Sequence, residues 1–274
     1  MVASGTLFVI ATPIGNLGDM TARAIETLRA CDRVVAEDTR RTRQLLTHFD
    51  VHPRALDRID ANATDRDVAR VLARLAGGEK VALVTDAGTP SVSDPGEALV
   101  EAAVAAAIPV VAIPGASAVL TALVASGLAG HGRGFRFVGF IPRDGGARRE
   151  ALARICETPE PVILFEAPGR LRSTLGALAD ATPERGACVA RELTKVHEEI
   201  VRGTCASLAA DAREWIGEIA IVLGAHSPTD RTARIDDPAL DARIDEALAQ
   251  GEHPRTTADR LAAWSGRPKR EVYE

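Results

Sequence analysis

The chain has 274 residues, which is long enough for two domains and a small appendage. Its hydrophobic fraction of 46% and charged fraction of 26% exclude an intrinsically disordered chain, and its formal net charge of −5 argues against binding duplex nucleic acid through a globally basic surface. The four cysteines stand singly, without a Cys-x-x-Cys pair, so we predict neither a metal site nor a disulfide framework and expect a reducing cytoplasm.

The first forty residues begin a pattern in which short apolar strands alternate with helices. A strand is predicted over residues 7–11, and a loop rich in glycine and proline follows over residues 12–19. A helix over residues 21–30 and a strand over residues 33–36 come next. The loop has neither the glycine fingerprint of dinucleotide-binding folds nor a P-loop, so a nucleotide-like ligand would need a different cradle.

Two acidic residues and three arginines come directly after the second strand. The first interpretation is a helix N-terminus, where the helix dipole favours Glu37 and Asp38 while the arginines are solvated. The second is a cleft in which the carboxylates line the wall and Arg40, Arg41 and Arg43 contact an anionic substrate such as a phosphodiester backbone. Both interpretations stay open at this point.

The clearest helix signal covers residues 64–76, where Thr64 is the predicted N-cap and Asp67 stands three residues on, as in a capping box. The apolar residues at helical spacing behind them are Val68, Val71, Leu72 and Leu75.

A buried strand over residues 81–84 is predicted from its run of apolar residues, two of them β-branched valines. The loop that follows has Asp86 at the carboxyl end of the strand and Gly88, which lets backbone approach a ligand closely. Asp94 is the predicted N-cap of the next helix, and Pro95 suits its first position. The stretch reads either as a ligand loop or as an ordinary turn between strand and helix.

A further strand over residues 109–113 runs into small residues at 114–118, which leave the amides at a helix start uncovered and so suit a flat ring or an anion. Residues 102–130 carry no charge, but prolines and glycines divide them, so we expect no membrane span. Three loops thus end the strands of a predicted parallel, doubly wound sheet, and ligands gather at that edge.

The second half carries several strands with fewer helices between them, which predicts a second α/β domain with a mixed sheet. Strands are predicted over residues 135–140, 161–166, 187–192, 196–202 and 218–223, and a helix after residue 146 carries Arg148, Arg149 and Arg154. The predicted units are an N-terminal α/β domain at 1–118, a second α/β domain at 119–226, a linker at 227–238 and a helical appendage at 239–274. Helices within the appendage are predicted over residues 239–249 and 256–264, with a third start at 267–270.

Six short motifs stand in a fixed order along residues 5–225. They are Thr-Pro-Ile-Gly-Asn-Leu at 12–17, Ala-Glu-Asp-Thr-Arg at 36–40, Thr-Asp-Ala-Gly-Thr-Pro at 85–90, Ser-Asp-Pro-Gly at 93–96, Pro-Gly at 114–115 and Arg-Glu-Leu-Thr-Lys at 191–195. This series resembles the ribosomal RNA small subunit methyltransferase I family, a branch of the tetrapyrrole methylase superfamily. The resemblance implies S-adenosylmethionine-dependent 2′-O-methylation of a cytidine in the decoding region of small-subunit (16S) ribosomal RNA. It also implies a homodimer, with the cofactor in the cleft between two α/β domains.

The resemblance further implies which residues border the cofactor. They are Pro13, Asp86, Ala87, Gly88, Thr89, Pro90, Ser117, Ala118, Phe140, Arg191, Glu192, Leu193 and Glu218. The sequence departs from the family at residues 60–63, where Asp-Ala-Asn-Ala replaces a segment rich in His, Asn and Glu. That difference puts a role for this loop in doubt and leaves the cofactor motifs intact.

Such a reaction needs alignment of the ribose oxygen and help in removing its proton. The candidate bases are Glu37, Asp38, Asp94, Glu166 and Lys195, and each also has a purely structural interpretation. Lys195 is favoured, ahead of Glu37 and Asp94, because desolvation beside a sulfonium is expected to lower its pKa.

RNA contact is expected from Arg40, Arg41, Arg43, Arg148 and Arg149, with a further basic group at Arg267, Lys269 and Arg270. Aromatic residues make up only 3% of the chain, so shape and phosphate contacts should outweigh base stacking. Two other functions stay open: a methyltransferase of the same superfamily that acts on a tetrapyrrole of the precorrin type or on a diphthine-type substrate, and a non-catalytic ribosome-assembly module.

Overall fold

A computed structural model describes residues 5–60, 62–91, 96–132, 134–226 and 237–249, together with 252–254, 256–258, 261 and 272. Its first sheet consists of the strands β1 (Thr6–Ile10), β2 (Arg33–Ala36), β3 (Ala55–Arg58), β4 (Lys80–Val84) and β5 (Val110–Ile113). All neighbours are parallel, in the order β3-β2-β4-β1-β5. The helices of this half are α1 (Ala22–Ala30), α2 (Thr39–His48), α3 (Asp65–Ala76) and α4 (Glu97–Ala105).

Helices cover both faces of the first sheet, because successive side chains of each strand point to opposite sides. In β4, Val81 and Leu83 join a core with α3 and α4, whereas Ala82 and Val84 join a core with α1 and α2. Each of these four side chains is at most 1% exposed. The predicted parallel, doubly wound sheet is therefore confirmed.

The second sheet is mixed. Its strands are β6 (Arg136–Phe140), β7 (Val162–Glu166), β8 (Gly186–Arg191), β9 (Glu199–Thr204) and β10 (Ile219–Leu223), in the order β6-β7-β10-β8-β9. β6 and β7 run parallel and every other pair is antiparallel. One face carries α6 (Gly145–Glu157), α7 (Pro168–Ala181) and α8 (Cys205–Ala209). The mixed strand directions confirm the predicted mixed sheet.

The other face of the second sheet is covered by α5 (Ala118–Ser126). Val119, Ala122 and Leu123 of this helix pack in one core with strand residues of the second sheet, and Ile14 from the loop after β1 joins the same core. The two sheets thus meet along a shared apolar contact. The domain boundaries of the sequence analysis stay predictions, and the packing of α5 supports a boundary near residue 118.

Three helix starts follow the general capping rules, and the third was predicted from the sequence. Thr21 accepts a hydrogen bond from the Ala24 amide, and Asp38 accepts one from the Arg40 amide at 2.8 Å. Ahead of α3, Asp67 accepts from both the amide and the hydroxyl of Thr64, which confirms the capping box.

Several elements differ from the prediction. Strand β3 and helices α7 and α8 were not predicted, and β9 begins at Glu199 rather than at residue 196. Helix α4 begins at Glu97 with Gly96 as its N-cap, whereas Asp94 and Pro95 lie outside the described residues. β3 was missed because the sequence Ala-Leu-Asp-Arg has no apolar run, and its strand character comes from pairing with β2 at the sheet edge.

Beyond the second sheet, helix α9 (Asp237–Ala249) lies where the appendage was predicted. In this region, four buried side chains pack as a separate small core: Leu240, Ala258, Leu261 and Val272. The predicted linker at 227–238 lies outside the described residues, except for its last two positions, which begin α9. The predicted third helix start at 267–270 also lies outside them. In the described part of the chain, no helix combines the length and the apolar character that a membrane crossing requires.

Candidate active site

A cavity of about 330 Å³ lies where the carboxyl end of the first sheet meets the second sheet. We call it the first cavity, and it is lined by Ile14, Ala87, Gly88, Thr89, Ser117, Ala118, Val119, Phe140, Phe165, Glu166, Ala167, Pro168, Ala190, Leu193, Gly217, Glu218, Ile219 and Ala220. The structure thus brings together eight of the predicted cofactor residues: Ala87, Gly88, Thr89, Ser117, Ala118, Phe140, Leu193 and Glu218.

The loops after β1 and β4 form one wall and are joined to each other by backbone hydrogen bonds. The Thr12 amide donates to the Gly88 carbonyl at 2.8 Å, and the Gly88 amide donates to the Thr12 carbonyl at 3.1 Å. The Thr12 hydroxyl adds a bond to the Thr85 carbonyl. Gly88 has a φ of +81°, a left-handed backbone conformation that residues with side chains rarely adopt. Glycine is therefore favoured at this position of the cavity wall.

The opposite wall is apolar and partly aromatic. The Phe140 ring, 61% exposed, lies 5.5 Å from the Phe165 ring between centroids, and Ile219 and Leu193 continue the surface. The start of α5 contributes Ser117, which caps the helix. An apolar slot, helix-start amides and a carboxylate at the rim fit the adenine, the amino acid end and the sulfonium of S-adenosylmethionine, respectively.

A second cavity of about 560 Å³ adjoins the first and shares Ile14, Ala87 and Glu218 with it. The remaining lining residues are Thr12, Pro13, Gly15, Leu17, Arg41, Thr42, Gln44, Leu45, His48, Thr85, Asp86 and Lys195. Two predicted cofactor residues, Pro13 and Asp86, therefore face this cavity rather than the first. Pro90, Arg191 and Glu192 line neither cavity.

Lys195 lines the second cavity beside Glu218, which lines both cavities, and so lies near their junction, between two carboxylates. Its Nζ lies 2.9 Å from Oε1 of Glu192 and 2.9 Å from Oε2 of Glu218. Partial burial lowers the pKa of Lys195, but the hydrogen bonds to Glu192 and Glu218 outweigh it, and the pKa is raised overall. The expectation of a lowered pKa was wrong, because it considered desolvation without the paired carboxylates.

The turn that carries Lys195 is held in a strained conformation. Glu192 and Thr194 have φ values of 51° and 66°, which are uncommon for residues with side chains. Glu192 and Glu218 exchange hydrogen bonds: the Glu192 amide donates to the Glu218 carbonyl, and the Glu218 amide donates to Oε1 of Glu192 at 2.8 Å. The latter bond and the Lys195 ammonium lower the pKa of Glu192.

The loop after β1 contacts this turn closely. The Asn16 amide donates to the Thr194 hydroxyl at 3.1 Å. A Cβ at Gly15 would lie 2.5 Å from Cγ of Lys195, so a side chain there would displace the lysine. The turn and the loop together fix Lys195 at the cavity junction.

Two other candidate bases, Glu37 and Asp38, line neither cavity. The pKa of Glu37 is raised, first by burial and then by the nearby Asp86 charge. Asp38 caps α2, and hydrogen bonds from the side chain and amide of Arg40 lower its pKa to about 2. Residues 37–43 thus contain the N-terminus of α2, as the first interpretation predicted. Arg41 also lines the second cavity, so a contact of these arginines with an anionic substrate stays a prediction, while Asp94 lies outside the described residues.

Glu166 ends β7 as a buried carboxylate at the wall of the first cavity. It accepts from the Thr174 hydroxyl at 2.6 Å and from the Ala167 amide at 2.8 Å, and it pairs with Arg170 at 2.5 Å and Arg148 at 3.7 Å. Arg148, only 12% exposed, also donates to Thr174. The expectation that Arg148 contacts RNA is therefore corrected: its guanidinium serves the Glu166 carboxylate.

The other arginines expected to contact RNA are at the surface. Arg40, Arg43 and Arg149 are exposed, and Arg40 makes an ion pair with Asp38. Arg41 is 70% exposed, lines the second cavity and pairs with Asp86 at 3.3 Å. The basic group at Arg267, Lys269 and Arg270 lies outside the described residues.

Sequence reasoning missed both the second cavity and part of the first. Phe165, Ala167 and Pro168 lie beside Glu166, the last residue of a predicted strand, so their place at its carboxyl end was a usable signal. Gln44 and His48 belong to no motif, so no sequence signal indicated their place in the second cavity. Among the residues that the structure describes, no group of His, Cys, Asp or Glu could hold a metal ion.

The fold is that of a methylase of the tetrapyrrole type. The family model described as Tetrapyrrole (Corrin/Porphyrin) Methylases matches residues 6–209. A uroporphyrin-III C-methyl transferase from Thermus thermophilus, complexed with S-adenyl homocysteine, shares this fold at a TM-score of 0.55 and 20% identity, over 80% of this chain and 97% of that one.

Two curated relatives are both called ribosomal RNA small subunit methyltransferase I. The one from Synechocystis sp. is 41% identical over 273 residues, which is 98% of this chain and 96% of the relative. The one from Xylella fastidiosa is 41% identical over 279 residues, which is 100% of this chain and 99% of the relative. The chain belongs to the ribosomal RNA small subunit methyltransferase I family, whose predicted methyl donor is S-adenosylmethionine.

Proposed function

We propose that this protein methylates the 2′-oxygen of a cytidine in the decoding region of 16S ribosomal RNA, with S-adenosylmethionine as methyl donor. The observation that carries the proposal is the pair of adjoining cavities that meet at Lys195 and Glu218, in a chain of this family. One cavity suits the cofactor, and the other leaves room for part of the RNA beside it.

The first cavity is the proposed cofactor site. S-adenosylmethionine supplies, when bound, a methyl group activated by a positively charged sulfur. The backbone at Gly88 and the start of α5 would hold its polar end, and Phe140 and Phe165 would flank its adenine. The exposed carboxylate of Glu218 stands where the two cavities meet, which suits a neighbouring sulfonium.

Methyl transfer forms a bond from the ribose oxygen to carbon and breaks the bond from that carbon to sulfur, while the ribose proton must leave. Lys195 is charged in the free protein, so we assign proton acceptance to the Glu218 carboxylate and stabilisation of the ribose oxygen to the Lys195 ammonium. Glu192 keeps the ammonium in place. Alignment by these groups is expected to contribute on the order of 7 kcal/mol.

Phosphate contact is proposed for Arg40, Arg43 and Arg149, which are exposed, whereas Arg41, paired with Asp86, is proposed to contact the RNA within the second cavity. Binding through such contacts should weaken steeply with salt. We further propose that the protein acts in the cytoplasm as a homodimer. The exposed apolar side chains of Val111, Leu120 and Val124 on β5 and α5 support a protein contact there.

The proposal is tested by methyl transfer from labelled S-adenosylmethionine to small ribosomal subunits isolated from cells that lack this enzyme. Free 16S ribosomal RNA and a tetrapyrrole precursor serve as parallel acceptors. Label on one ribose 2′-oxygen is the expected result. Label on the tetrapyrrole alone would refute the RNA reaction, and cofactor binding without any transfer would favour a non-catalytic assembly role.

A further inference from the structure

One face of α2 forms a wall of the second cavity. Arg41, Gln44, Leu45 and His48 line it, and their spacing of three, four and seven residues is that of a single helical stripe. The stripe spans about 10 Å along the helix axis. Arg41 contacts Asp86, which precedes the Ala87 shared with the first cavity, so the stripe leads away from the cofactor site.

The charges around this cavity are paired within the protein. Arg41 pairs with Asp86 at 3.3 Å, and Lys195 pairs with Glu218 at 2.9 Å. Each cation that lines the cavity as an Arg or Lys therefore faces a carboxylate. Such a balanced wall suits the uncharged part of a nucleotide, its base and ribose, better than a phosphate.

Two polar groups of the cavity wall lack hydrogen bonds within the described part of the chain. The hydroxyl of Thr85 is buried and has no partner. The Gln44 side-chain amide, which is exposed to the cavity, makes no hydrogen bond to the residues that the structure describes. An amide presents a donor and an acceptor side by side, which matches the amine and the neighbouring ring nitrogen of cytosine.

We infer that Gln44 selects the target base: its amide hydrogen-bonds the Watson–Crick edge of the cytosine, which lies in the second cavity against Leu45 and His48. The ribose then points toward Lys195 and Glu218 at the cavity junction. Bases read in this way are unpaired and turned out of the helix. The inference rests on the proposed function and adds the residue that sets its base preference.

The test compares Gln44→Leu with the wild-type protein on two preparations of small subunits, each assembled with a different RNA. One RNA has the mapped target cytidine, and the other has an analogue that lacks the exocyclic amine at that position. We expect Gln44→Leu to lower kcat/KM for cytidine by roughly 10- to 100-fold. For the wild-type protein, kcat/KM should be lower on the analogue than on cytidine by about the same factor. For Gln44→Leu, kcat/KM should be the same on the analogue as on cytidine.

Thr47→Val provides the matched control, because Thr47 is exposed on the same helix and lines neither cavity. It should retain wild-type kcat/KM on both RNAs, and neither variant should change the Kd of S-adenosylmethionine.

Three results would overturn the inference while leaving the proposed function intact. The first is a wild-type kcat/KM for Gln44→Leu on cytidine. The second is a kcat/KM for Gln44→Leu on the analogue that is reduced by the product of the two separate reductions. The third is weaker S-adenosylmethionine binding by Gln44→Leu, which would assign the second cavity to the cofactor. If the wild-type protein transferred no methyl group to the cytidine RNA or to the analogue RNA, the proposed function itself would be refuted.

Discussion

Two charged clusters border the first cavity, and they are built in opposite ways. Glu166 is one carboxylate between two guanidinium groups, with its side chain fully buried. Lys195 is one ammonium between two carboxylates, 28% exposed, and its partner Glu218 is 76% exposed. Both clusters end strands or turns of the second sheet, so topology alone does not separate them.

The difference in burial assigns the two clusters different tasks. A buried ion that loses its partner keeps an uncompensated charge in a low-dielectric interior, so the Glu166 cluster should govern stability. An exposed pair contributes little to stability because water screens it. The Lys195 cluster is therefore free to contact a ligand, and it is the one that the strained turn holds at the cavity junction.

The largest expected effect is that of Glu166→Gln on stability. The variant leaves Arg148 and Arg170 without their counter-charge, and we expect the free energy of unfolding to fall by about 3 kcal/mol. Denaturant unfolding measures this. Glu150→Gln, whose pair with Arg154 is exposed, is the control and should change it by less than about 0.5 kcal/mol. Equal effects of the two variants would contradict the comparison.

Lys195→Met should have the reverse profile. Loss of the ammonium should reduce methyl transfer about 100-fold, because the ribose oxygen loses its electrostatic partner. The free energy of unfolding should change by less than about 1 kcal/mol. Single-turnover transfer with saturating cofactor is the measurement, and Lys80→Met, at an exposed position on β4, is the control. Wild-type turnover with intact cofactor binding would remove Lys195 from the mechanism.

Gly15→Ala tests how the Lys195 cluster is held. The added Cβ would lie 2.5 Å from Cγ of Lys195, so the loop or the lysine must move. We expect a loss of about 1–2 kcal/mol in the free energy of unfolding, together with reduced transfer. Gly176→Ala in α7 meets no atom within 4 Å and should instead stabilise the protein by about 0.5 kcal/mol. A Gly15→Ala variant as stable and active as the wild type would show that the contact is not tight.

The smallest effect concerns pH. The pKa of Glu192 is lowered in the folded protein, so its ionisation stabilises the fold above the ordinary value of 4.5 and ceases to do so as the pH falls. Glu192→Gln should therefore be less stable than the wild type by about 1 kcal/mol at pH 7. That gap should close as the pH falls below 4.5 and through the lowered pKa of the folded protein, as followed by denaturant unfolding at each pH. A gap independent of pH would mean that packing, not charge, is responsible.

Much of the first sheet could be predicted from local patterns. β2 was predicted with the same bounds that it has in the structure, and α3 was located by its cap and its apolar spacing. The sequence signal failed where an element depends on a distant neighbour. β3 is a strand because β2 offers it backbone partners, and β9 is displaced because residues 193–198 turn to present Lys195.

The candidate site divides in the same way. The family, the methyl-donor loops and the strand ends at which they gather followed from motif order and from the rule that parallel sheets bind ligands at their carboxyl edge. The structure decided which side chains are buried in pairs and which are free. Arg148 and Arg149 are adjacent in sequence, yet one neutralises Glu166 and the other is exposed.

By itself the sequence determined most of the local elements, the alternation of strands and helices and the membership of the methylase family, because these depend on side-chain periodicity, caps and motif spacing. Only the tertiary structure decided that Lys195 lies between Glu192 and Glu218 and that one face of α2 lines a second cavity. Glu192 is three residues away from Lys195 but Glu218 is 23 residues away, and the hydrogen bonds to both carboxylates raise the pKa of Lys195. No local pattern contains the distances on which that electrostatic balance depends.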